Sequence, residues 1–63
     1  MMIEQYYIHV AYMNGDKVSD KVYRGGQEVF RHWDVFMEDM LSGIFEEYPE
    51  AEILAMGVYK ETI

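Results

Sequence analysis

Apolar side chains alternate with mixed ones along residues 3–13. Tyr6, Ile8, Val10 and Tyr12 form one series, and Gln5, Tyr7, His9, Ala11 and Met13 form the other. A period of two in β-branched and aromatic residues predicts a strand with one buried face. Asn14-Gly15 is a hairpin signal, and residues 17–24 supply the returning strand, with Val18 and Val22 as its apolar positions. Two loop lengths are open. A two-residue Asn14-Gly15 loop opposes Tyr12, Val10 and Ile8 to Lys17, Ser19 and Lys21. A three-residue Met13-Asn14-Gly15 loop, with Gly15 left-handed, pairs Val10 with Val18, Tyr6 with Val22 and Glu4 with Arg24. Register follows the buried face, so the three-residue loop is expected. It sets Asp20 on the core side opposite Ile8, which a bulge or an exposed edge would relieve.

Gly25-Gly26 ends this strand. Val29, Phe30, Trp33, Phe36, Met37, Met40, Leu41, Ile44 and Phe45 then recur at spacings of three and four, and Tyr48 extends the stripe. That period predicts one long amphipathic helix from about Gln27 to Glu47, stopped by Pro49 at or before Tyr48. Gly43 weakens the helix by about 1 kcal/mol relative to Ala and suggests close approach to the sheet. Residues 52–60 read as a last strand, with Leu54, Met56 and Val58 toward the helix and Ile53, Ala55, Gly57 and Tyr59 away from it. The expected fold is α+β, in the order β-β-α-β: a three-stranded antiparallel sheet, order 3-1-2, with the helix across one face. Parallel pairing of the last strand beside the second is the alternative.

Sixty-three residues suggest a single domain. A chain of this size buries only about 60% of its unfolded surface, so its own core leaves it marginal. There is no cysteine, which removes disulfides and thiolate metal sites and leaves packing or self-association as the source of stability. No apolar run approaches the roughly 18 residues of a membrane span. The first residues carry no basic segment or cleavage site of a signal peptide, so a cytoplasmic protein is expected. Direct contact with nucleic acid or anionic lipid is not expected, because phosphates call for a cationic surface and the chain has twelve Asp and Glu against five Lys and Arg.

The net charge of −7 has one source. Residues 1–33 hold four acids and four bases, and residues 53–63 hold only Lys60 and Glu61. Between them, Asp34, Glu38, Asp39, Glu46, Glu47, Glu50 and Glu52 have no base among them. Asp34 and Glu38 repel at i,i+4, and Glu46 and Glu47 occupy the last helical turn, where the macrodipole favours cations. Acids on a solvated face also keep a marginal domain soluble, so two readings stand. In one, the acids are only a solubility coat. In the other, Asp34, Glu38, Asp39, Glu46, Glu47 and Glu50 meet a basic surface on a partner protein, standing in for phosphates if that surface normally binds nucleic acid.

One helix covers one face of a sheet. The other face is expected to carry Tyr7, His9, Ala11, Lys17, Ser19, Lys21, Tyr23, Ile53, Ala55, Gly57 and Tyr59. Tyr7, His9, Tyr23, Ile53 and Tyr59 are the candidate self-association residues of a homodimer packed back to back. The alternative is an open sheet face lined by tyrosines.

No enzyme chemistry is expected. Ser19 and Ser42 are the serines and His9 and His32 the histidines, and nothing in their spacing assembles a nucleophile, base and orienting group. A metal site on His9 and His32 would need two carboxylates from elsewhere, and Gly25-Gly26 lacks the Lys-Ser/Thr of a phosphate loop. Neither a cofactor nor a metal is expected.

In size, acid block and an Asn14-Gly15 hairpin beside a single helix, the chain resembles the small, acidic, cysteine-free inhibitors of phages and mobile elements, among them anti-CRISPR proteins and nucleic-acid mimics. The resemblance implies an inhibitor that binds a basic, nucleic-acid-binding site on a host protein in the host cytoplasm. It carries no motif, and so assigns no residue.

Overall fold

A computed structural model describes residues 2–63. The chain is α+β. Strand β1 (Glu4–Asn14) turns into β2 (Lys17–Gly25), two helical segments follow, α1 (Gln27–Arg31) and α2 (Trp33–Glu47), and β3 (Glu52–Thr62) ends the chain. The sheet is antiparallel, with β1 paired on one side to β2 and on the other to β3. The even residues of β1 face the helices. Ile8 and Val10 are fully buried there, and Tyr12 nearly so.

The hairpin departs from both expected registers. Asn14 pairs with Lys17, so the two loop residues are Gly15 and Asp16. Gly15 has φ +67°, and no other residue among the described ones has a positive φ. A positive φ at the first central position alone is the type II′ pattern, which asks for glycine there. Asn14 therefore ends the strand. The consequence is a reversal of β2. Tyr23, Lys21 and Ser19 lie opposite Ile8, Val10 and Tyr12, on the helix side. Val18 and Val22, expected inside, lie opposite Met13 and His9 on the uncovered side, 61% and 47% exposed. Asp20 moves outward with them, opposite Ala11, so no carboxylate is set against the core. Glu4 does not meet Arg24. It lies opposite Thr62, and Arg24 lies opposite Tyr7.

Strand β3 keeps one register from Thr62 to Ala55, with Val58 opposite Ile8 and Met56 opposite Val10. The register then shifts, and Tyr12 faces Ile53. Leu54 is the extra residue of this bulge, which changes the face of everything before it. Ile53 thus packs against the core instead of lying on the back, and Leu54 is exposed.

The single helix is two. His32 leaves the helical region (φ −122°, ψ +34°), closing α1 through its N–H to the Glu28 carbonyl and opening α2 through its own carbonyl to Val35 and Phe36. The reason lies in the sheet. In a continuous helix at roughly 100° per residue, Val29 would sit about 80° from Met37, and Phe30 would sit beside Met37 on the core side. The break turns Val29 fully inward and leaves Phe30 58% exposed. Gly25 makes the tight approach possible: a Cβ there would come 2.6 Å from Val29 Cγ2. The Gly26 N–H donates to Glu28 Oε1 at 3.0 Å, capping α1. By contrast Gly43 is not crowded by the sheet, since a Cβ there would meet only Lys21 Nζ, at 3.8 Å.

The core is one layer deep: Ile8, Val10 and Tyr12 from β1, Val29 from α1, Met37 and Ile44 from α2. Phe36, Met40, Leu41, Tyr48, Ile53 and Val58 pack around it. No helix among the described residues is long and apolar enough to cross a membrane.

Candidate functional site

The acids of α2 and its following turn are all exposed, Asp34, Glu38, Asp39, Glu46, Glu47 and Glu50 alike. None of them, nor Glu52, forms an ion pair among the described residues. With Met37 and Ile44 marking the inward direction, and roughly 100° per residue, Asp34 and Glu38 fall on one flank. Asp39 and Glu46 fall on the outer side, and Glu47 on the opposite flank. The carboxylates therefore wrap α2 and do not form a flat face. Hydrogen bonding toward the neighbouring Glu47 carboxylate, then that carboxylate's charge, push the Tyr48 phenol above its usual value. The last turn of α2 has no basic residue.

Two hollows border α2. One, of about 370 Å³, is lined by Phe30, Trp33, Met37, Met56, Gly57 and Val58. It opens where the break at His32 swings Phe30 and Trp33 apart from the core, and it is almost wholly apolar. Trp33 is 48% exposed and Met56 55%. Asp34 and Glu38 do not line it; each lies about 100° further round α2 than Trp33 or Met37, on the flank away from β2. The other hollow, of about 420 Å³, is lined by Lys21, Val22, Tyr23, Phe36, Asp39, Met40 and Gly43. Tyr23 stacks on Phe36 there, with ring centroids 4.9 Å apart. That contact places Tyr23 against the helix, off the self-association face where it was expected; Ile53 leaves that face through the bulge.

The uncovered side of the sheet brings Tyr7, His9 and Tyr59 together with two residues assigned inward from the sequence, Val18 and Val22. Tyr7 and Tyr59 stack at 5.2 Å, and the Arg24 guanidinium lies 5.0 Å over the Tyr7 ring. Arg24 Nη1 donates to Glu61 Oε2 at 2.8 Å, and His9 Nε2 lies 3.1 Å from Asp20 Oδ2. Tyr59 folds back over Gly57, where a Cβ would come 2.6 Å from its hydroxyl. Lys17, Lys21 and Ser19, expected on this side, belong to the other.

Phe30 and Trp33, on the expected core stripe, and Met56, on the expected helix-facing side of the last strand, are thus exposed at a hollow. The spacing of Phe30 and Trp33 fits a buried stripe, so only the helix break distinguishes them. Among the described residues, no three His, Asp or Glu side chains gather as a metal-ligand group. His9 sits mid-sheet, and His32 sits at the helix junction. No protein-family model matches the chain, and neither a curated protein nor a solved structure matches it.

Proposed function

We propose that this chain is a protein-binding inhibitor that presents α2 to a basic, nucleic-acid-binding surface of its partner. The observation that carries this reading is the pairing of two features on one flank. Unpaired carboxylates, Asp34 and Glu38, lie on the flank of α2 away from β2, and an open apolar hollow ringed by Phe30, Trp33 and Met56 lies between the helices and β3. Carboxylates alone suit solubility as well as recognition. A solubility coat gives no account of an exposed Trp, Phe and Met beside it. Large aromatic side chains and methionine are the types enriched at protein interfaces, and flexible methionines adapt to an incoming apolar group. Arginines or lysines of the partner would meet the carboxylates, and an apolar side chain would enter the hollow. Acids wrapped around a helix suit a concave groove of the kind that holds a phosphate backbone. The same acids would speed encounter through long-range attraction.

The test is capture from the native host with immobilised chain, wild type against a Glu38→Lys, Glu46→Lys variant. A protein held by the wild type, released by salt and by added duplex nucleic acid, and absent from the variant is the expected result. A variant that retains the same protein at the same salt refutes the reading.

A further inference from the structure

We propose that the uncovered back of the sheet is a homodimer interface, with a two-fold axis passing near His9.

The first ground is the direction of the β2 valines. The II′ turn sends Val18 and Val22 away from the helices, onto a face they share with Asp20, Arg24, Tyr7 and Tyr59. Two exposed valines beside a tyrosine pair, left without cover, call for a second layer. The second ground is surface. A folded monomer of 7.5 kDa exposes about 4,250 Å², whereas this chain exposes 4708 Å². The excess, about 450 Å², is close to the size of the sheet's back: three strands about 4.8 Å apart and roughly 36 Å long present about 500 Å². Two such faces bury about 1,000 Å², the lower limit of a specific interface.

Charge selects a second copy as the occupant. The helix side carries the unpaired acids and repels its own copy. On the back, Arg24 is ion-paired with Glu61, His9 Nε2 lies within hydrogen-bond distance of Asp20, and the one acid unpaired among the described residues, Glu52, lies at the hairpin end opposite Met13, away from the centre of the face. Shape agrees. Across the strands, one row is large, Tyr7 beside Tyr59, and another is small, Ala11 beside Ala55. His9 lies midway between them on β1. A two-fold axis there reverses β1 over its copy and sets each large row on the partner's small row, a self-complementary contact of the isologous kind. Two sheets packed this way form an aligned sandwich with the acidic helices outward on both sides.

The experiment is sedimentation of the full chain from low to high micromolar concentration, with short bis-maleimide cross-linking of single-cysteine variants in a background that has no cysteine. The mass is expected to double over that range. His9→Cys should cross-link to its copy, and Glu46→Cys, on the outer side of α2, should not. Ala11→Arg should hold the chain monomeric with an unchanged circular dichroism spectrum. Should that central-strand variant unfold, Val22→Lys on the edge strand serves in its place. A chain that stays monomeric at every concentration, or equal cross-linking from both cysteines, overturns the proposal and leaves the face to solvent or to a different protein. Loss of binding in the Glu38→Lys, Glu46→Lys variant has no bearing on this outcome, because those residues lie on the other side.

Discussion

The outer surface of α2 and the back of the sheet lie on opposite sides of the same three strands, and nothing else among the described residues covers either. They differ in how their charges are arranged. On the back, each of Arg24, Asp20, His9 and Glu61 has a partner within hydrogen-bond distance. On α2, the carboxylates from Asp34 to Glu47 form no ion pair among the described residues, two of them occupy the helical turn least suited to anions, and they adjoin exposed aromatic side chains. A surface that repels its own copy and weakens its own helix fits a foreign, basic partner. A surface of tyrosines and valines whose polar groups mostly bond one another fits a second copy of itself. The two readings use separate residues and can be broken separately.

The largest effect should separate the covered side of the sheet from the uncovered one. Ile44→Ala removes a fully buried side chain at the end of α2 and should lower stability in urea denaturation by about 2–5 kcal/mol. Val22→Ala, on the back, should change stability by at most about 0.5 kcal/mol in dilute solution. If the back is an interface, its effect should grow with protein concentration as dimer forms. A Val22→Ala cost near that of Ile44→Ala in dilute solution would mean that the valine lies inside, as the discarded register requires.

A smaller effect concerns the one carboxylate that serves the fold. Backbone N–H groups of its own residue and of Gly26 hold the Glu28 carboxyl below its usual range. A depressed folded value means that this contribution is fully present above the unfolded carboxylate value and is lost as pH falls through the folded one. The stability gap between wild type and Glu28→Gln should therefore be constant at neutral pH and close in acid. A gap that persists through the acid range would show that the carboxylate is not what caps α1.

The strands, the hairpin position, the antiparallel sheet and the Gln27 and Glu47 limits of the helical region were legible because each rests on a repeated period or a strong breaker. What was lost turns on single residues. Asn14-Gly15 names a hairpin but not which pair forms its loop, and the choice of Gly15-Asp16 reverses every side chain of β2. The rule that valines go inward then misleads, because it assumes that only the helix side becomes a core. Leu54 is an ordinary strand residue in sequence, and nothing marks it as a bulge. His32 breaks the helix without glycine or proline, so Phe30 and Trp33 look like core residues. The acid block was legible in full, since exposure of Asp and Glu follows from their charge. Its shape, a wrap around α2, needed the position of Met37 and Ile44.

The central claim is that the α2 acids recognise a partner and are not there for solubility. The most direct measurement replaces them without reversing charge, as Asp34→Asn, Glu38→Gln, Glu46→Gln and Glu47→Gln together, and records solubility and partner capture from the native host on the same sample. Recognition predicts a variant that remains soluble, unfolds at a higher temperature because like-charge repulsion and the dipole mismatch are gone, and captures nothing. A variant that precipitates where the wild type does not, while its soluble fraction still captures the same protein, would contradict it.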